Sequence, residues 1–267
     1  ASTVGQQSVS QNIADPAQQL RSLAILVRNN DLSGLLSAML PPTQLQQLRL
    51  AYDLQRTEPT TDEDRAKFEE ALAKLNAVDA VDQLMVEIEP KLQEARPQAA
   101  GAVMMGLGAL QVAMTSPKAE MTQLQREALQ SLFPGLQRWA NSTDFLSSVT
   151  MRQALSLISE AARNSGVSNL DQLKMLSLDE VLARAGTLLA ASKQAIRLYG
   201  IDLDNIADSL QVQVLAIEGS SARVRATWMV FDAPVSSEHE LVLIDGRWYG
   251  KDVAKQWRIE HSSSAKG

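Results

Sequence analysis

The sequence predicts an α+β protein that is predominantly α, a multi-helix body followed by a four-stranded antiparallel meander. Three observations carry this. Apolar residues recur at helical spacing from Asp15 to about Gly200. After Gly200 the period changes to two. Turn signals then separate four short alternating runs. The expected organisation is a flexible segment over residues 1–12, a helical body over 13–207, a sheet with a short C-terminal segment over 208–260, and a disordered tail over 261–267.

The helices follow in order. Asp15-Pro16 places an N-cap and a proline at the first helical position, ahead of Leu20, Leu23, Ala24 and Val27. Asn29 to Asp31 break this helix, and Asp31 caps a short one to Leu40. Pro41-Pro42 ends it, and Thr43 with Gln46 reads as a capping box. After a loop over residues 58–62, one helix carries Phe68, Leu72 and Leu75, and another runs from about Asp79 to Ile88. Pro90 and Pro97 are expected to bracket a turn.

Beyond that turn lies the least polar stretch, residues 99–114, with Gly101, Gly106 and Gly108 inside it. Each glycine costs about 1 kcal/mol against alanine in a helix. Close approach by a neighbouring helix is the expected compensation, so this stretch reads as a buried central helix. A lipid- or ligand-binding stripe is the alternative. No apolar run approaches the roughly 18 residues of a membrane span, so a membrane-spanning chain is not expected.

Ser116-Pro117 reads as the next start, and Phe133-Pro134-Gly135 as an interruption. A start at residues 141–144 precedes the clearest amphipathic stripe, Met151, Ala154, Leu155, Ile158, Ala161 and Ala162. Ser168 with Asp171 and Ser177 with Glu180 are further start boxes, and Asp202 to Asn205 reads as a helix cap.

In the strand region the turn signals are residues 218–221, residues 232–234 and Asp245-Gly246. Asp-Gly predicts a two-residue type I′ turn, with Leu243 facing Trp248 and Val242 facing Tyr249. A three-residue loop over 218–220 pairs Val214 with Val224 and Val212 with Ala226. Ala226 is expected opposite Leu243, Trp228 opposite Leu241 and Val230 opposite His239. One face then carries Val212, Val214, Val224, Ala226, Trp228, Leu241, Leu243 and Trp248. The other mixes Arg225, Met229, Phe231, Glu238, Glu240, Val242, Ile244, Arg247 and Tyr249.

That mixed face supplies the candidate binding residues: Arg225, Met229, Phe231, Glu240, Val242 and Tyr249. Its alternative occupant is the chain itself, either residues 253–259 with Trp257 or a helix of the body.

Composition bounds the chemistry. The chain has 267 residues, no cysteine and a net charge of -6. Disulfide scaffolds, thiolate metal sites and cysteine nucleophiles are excluded. A dedicated nucleic-acid binder is not expected without a basic stripe. No catalytic motif, metal site or cofactor is read. His261 lies in the tail, and strand alternation separates His239 from Glu238 and Glu240. Glu240 falls opposite Lys251, which predicts an ion pair.

Ser221-Ala-Arg-Val-Arg225 and Asp245-Gly-Arg-Trp-Tyr249 resemble strand and hairpin segments of the nuclear transport factor two-like and cystatin-like α+β superfamilies. The resemblance covers about the last quarter of the chain. The whole chain is similar to uncharacterised exported proteins of proteobacteria, which implies a periplasmic or envelope location after signal removal. The Gln- and Ser-rich start also fits a lipid tether, and cytoplasmic residence is the alternative.

The functional expectation is a noncatalytic module that binds a protein, lipid or small ligand. The alternative is a hydrolase- or isomerase-type enzyme using carboxylate and Tyr chemistry in a sheet-lined pocket.

Overall fold

The protein is described from a computed structural model that covers residues 12–255. Residues 1–11 of the expected flexible N-terminal segment, the expected tail over 261–267, Trp257 and Ile259 fall outside the described residues. Among those residues, ten named helices precede a four-stranded antiparallel sheet. They are α1 (Pro16–Arg28), α2 (Leu32–Met39), α3 (Pro42–Arg56), α4 (Asp62–Asn76), α5 (Ala80–Thr115), α6 (Gln123–Ser142), α7 (Ser148–Asn164), α8 (Leu170–Met175), α9 (Leu178–Arg197) and α10 (Leu203–Asp208). The strands are β1 (Gln211–Glu218), β2 (Ser221–Val230), β3 (Ala233–Ile244) and β4 (Arg247–Gly250). Residues 251–255 then turn into a helix.

Side-chain caps set many starts. Asp15, Asp31, Ser177 and Asp202 each accept a backbone N–H from the first turn of the helix they precede. Four boundaries differ from expectation. The α3 N-cap is Pro41, not Thr43, because Pro42 suits the first helical position and needs no donor there. α6 starts at Gln123 through a Thr122–Gln125 capping box, leaving residues 116–122 as the connection. α7 starts at Ser148 with Ser147 as its cap, so residues 143–147 are a linker. The α8 cap is Asn169, while Ser168 bonds the Gln172 side chain.

The prolines mislead more. α5 is one 36-residue helix running through both Pro90 and Pro97, and α6 runs through Pro134. An internal proline removes a hydrogen bond and strains the helix, but it need not end it. Ala80, Met85 and Leu92 anchor the first half of α5, which packs on α4 and α7.

The second half of α5 is not a buried central helix. Met104 and Met105 are 74% and 72% exposed, and Val112 is 67% exposed. An added Cβ at Gly101, Gly106 or Gly108 meets no atom within 4 Å, so close approach does not explain these glycines. The helix is also long and apolar enough to cross a membrane by length and composition, contrary to the expectation that no such run exists. It is the one such helix among the described residues and a weak candidate.

The sheet order is β1-β2-β3-β4. Val212 pairs with Ala226 and Val214 with Val224, as expected, but the β1–β2 loop is two residues. The register irregularity falls between Val214 and Ala216, which leaves Leu215 as the extra residue. Leu243 pairs with Trp248 across Asp245-Gly246, where both turn residues have positive φ.

The β2–β3 register is corrected. Ala226 faces Ser237, Trp228 faces Val235 and Val230 faces Ala233, because the turn is Phe231-Asp232 with φ of 48° and 61°. The partner of each β2 residue therefore moves by six positions. An even shift preserves side-chain parity, so the expected division into two faces survives.

Candidate functional site

Two devices fix α1 against the sheet. The Gln19 side-chain amide donates to the Trp248 carbonyl and accepts from the Trp248 N–H at 2.8 Å, closing the outer edge of β4. The chain before α1 also joins this edge. Ala14 N–H donates to the Gly246 carbonyl at 2.9 Å, and Trp248 Nε1 donates to the Ala14 carbonyl at 2.8 Å. Buried backbone groups at a short edge strand are thereby paired.

Under this clamp lies a core of Ala222, Val224, Leu241 and Trp248, with Leu20, Val212, Val214 and Leu243 packed around it. The filling does not extend along the whole inner face. Beside it, α1, α2, Ala207 of α10 and Leu210 roof a cleft of about 570 Å³. Leu23, Ala24 and Val27 line one wall, Ala226 and Trp228 another, and Met39 sits near the rim. Such a volume falls in the range of small-molecule sites.

The polar rim is formed by β3 and the segment after β4. Glu238, His239, Glu240, Lys251 and Asp252 border the cleft. Lys251 Nζ lies 2.8 Å from Glu240 Oε2, the expected cross-strand pair. The hydrogen bond and charge of Lys251 hold the Glu240 carboxyl below its ordinary value, and Glu240 raises the Lys251 ammonium in return. Arg225 lies 2.8 Å from Glu238 Oε1. His239 Nε2 is 2.8 Å from Ser237 Oγ on the same face of β3. Among the described residues, no three His, Asp or Glu side chains form a cluster suited to a metal ion.

The six sequence candidates do not assemble into one open surface. Tyr249 is 3% exposed, and burial raises its phenol above the ordinary value. Val242 is half-buried opposite it. Phe231 lies in the β2–β3 turn against Trp139 of α6, with ring centroids 5.3 Å apart. Gly135 makes room there, since an added Cβ would come within 2.5 Å of Phe231 Cβ. Arg225 and Glu240 are occupied by their ion pairs, and Met229 remains exposed. Glu240 and Tyr249 also border the cleft.

Sequence reasoning placed Ala226 and Trp228 on the inner face but missed the cleft they line. Its roof comes from Leu23, Val27 and Met39, whose apolar spacing signals burial and carries no sign of a void left beside it. Comparison with known proteins gives no match to a family model, a curated protein or a solved structure.

Proposed function

We propose that this chain is a noncatalytic binding protein that holds a small, largely apolar ligand between α1, α2 and the inner face of the sheet. The observation that carries the reading is the cleft itself, which is open, lined mainly by aliphatic and indole groups, and bordered by polar side chains. Binding is favoured over acid–base catalysis because Arg225 and Lys251 hold the Glu238 and Glu240 carboxylates, and Tyr249 is buried. The resemblance to exported proteins supports the cell envelope as the compartment of this activity.

The test uses the neutral apolar probe N-phenyl-1-naphthylamine, followed by its own emission and by quenching of tryptophan. Saturable binding is expected in the wild type. Ala38→Trp places an indole in the cleft and is expected to abolish the signal while the far-ultraviolet spectrum stays unchanged. Failure of the wild type to bind, or undiminished binding by a folded Ala38→Trp variant, overturns the reading.

A further inference from the structure

The exposed half of α5 has a pattern that the ligand cleft does not use. Val103, Leu107, Leu110 and Met114 are buried or half-buried on one side of the helix. On the opposite side Gly101, Met105, Gly108 and Val112 are exposed at i, i+4, i+7 and i+11, the spacing of a helix–helix seam. From Pro97 to Pro117 no residue is charged. The seam alternates small and large residues, and a Cβ at either glycine would meet no atom of this chain.

We infer that this face is a self-association surface, on which α5 pairs with α5 of a second copy, antiparallel about a two-fold axis near Gly106 and Leu107. A two-fold contact must be self-complementary, so residue i meets j and j meets i. Centred there, Gly101 of one copy meets Val112 of the other, and Met105 meets Gly108. Every large side chain then faces a glycine. A parallel pairing would set Met105 against Met105 and leave glycine against glycine.

The flanking charges select the same orientation. Glu94 lies seven residues before Gly101 on the outward line, and Lys118 follows the helix. Both are exposed, and neither forms an ion pair among the described residues. The antiparallel arrangement brings Glu94 of each copy beside Lys118 of the other, whereas a parallel one opposes like charges. One helix pair buries less than the roughly 800 Å² per partner of a standard interface, so the dimer dissociates in the micromolar range.

Sedimentation equilibrium of the full chain, from about 1 to 200 μM, reads the dimer directly. Gly108→Met sets two symmetry-related methionine pairs against each other and is expected to weaken association by roughly 100-fold. The exchange Met105→Gly with Gly108→Met restores the complementarity and is expected to return the dimer to within about tenfold of wild type. Far-ultraviolet spectra of both variants should match wild type, because an added Cβ at position 108 meets no atom within 4 Å and the residue is exposed. A wild-type monomer throughout this range overturns the inference, as does a dimer indifferent to Gly108→Met. It is equally overturned if the wild type floats with phosphatidylethanolamine–phosphatidylglycerol vesicles and Gly108→Met floats as well, which would assign the face to lipid.

Discussion

The inner face of the sheet and the second half of α5 are both rich in apolar residues, yet they differ in what surrounds them. On the sheet, Trp248 is 3% exposed, and its backbone and indole N–H are both tied to the start of α1. On α5, Met104, Met105 and Val112 are mostly open to solvent. Apolar composition alone therefore does not mark a core. What marks one is convergence from several elements with the polar groups satisfied, and only the sheet has it.

Truncation at equivalent apolar side chains should separate the two regions most sharply. Trp248→Ala is expected to cost about 3–5 kcal/mol in urea unfolding, as core aromatic truncations do. Val112→Ala, measured at concentrations where the chain is monomeric, should change stability by less than about 0.5 kcal/mol. Comparable losses at the two positions would mean that α5 is covered.

The clamp is the next element to break. Gln19→Leu keeps much of the side-chain volume but leaves the Trp248 N–H and carbonyl without their partner. Each buried group left unpaired costs about 1–3 kcal/mol. Hydrogen exchange at Trp248 should accelerate together with the fall in unfolding free energy. An unchanged exchange rate would show that another group holds the β4 edge.

The same contrast explains what was legible in the sequence. Period-two alternation and Asp245-Gly246 were enough to place the strands and the β3–β4 register, because local chemistry determines both. The β2–β3 register was not legible. Phe231 takes a positive φ that a bulky residue rarely adopts, and it packs against Trp139 of α6, far away in sequence. Pro90, Pro97 and Pro134 read as breaks because proline disfavours helix interiors; buried Leu92 and Gly135 lie beside Pro90 and Pro134, whereas residues 93–98 around Pro97 are exposed, so α5 continues there without packed flanks. The face residues Arg225 and Glu240 were found, and so was Lys251 as the partner of Glu240, whereas the pairing of Arg225 with Glu238 depended on the β2–β3 register. The cleft was invisible because it is space between elements, and no residue pattern encodes an unfilled volume.

Glycine substitution should reverse sign between the regions. Gly135→Ala places a Cβ within 2.5 Å of the Phe231 Cβ and carbonyl oxygen, so α6 must move from the hairpin. A loss of about 1–3 kcal/mol is expected, in the range of overpacked contacts. Gly106→Ala meets nothing within 4 Å and should stabilise the helix by about 0.5–1 kcal/mol. Thermal unfolding of the two variants decides the matter, and a destabilised Gly106→Ala would show that a neighbour approaches α5 in the monomer.

The smallest effect belongs to the rim of the cleft, where an exposed ion pair joins β3 to the segment after β4. Lys251 lowers the Glu240 carboxyl below its ordinary 4.5. A depressed folded value means the pair's contribution is fully present above the unfolded value and is lost as pH falls through the folded one. The pair should therefore hold at neutral pH and be lost as pH falls through the folded carboxyl value, which lies below the ordinary one. Carbon-detected titration of the Glu240 carboxyl should show this midpoint, and Lys251→Ala should move it upward toward 4.5. Because both groups are solvent-exposed, raising the ionic strength should reproduce part of the same upward movement in the wild type. A midpoint indifferent to both changes would mean that Lys251 does not hold Glu240, leaving that side of the rim without its cross-strand tie.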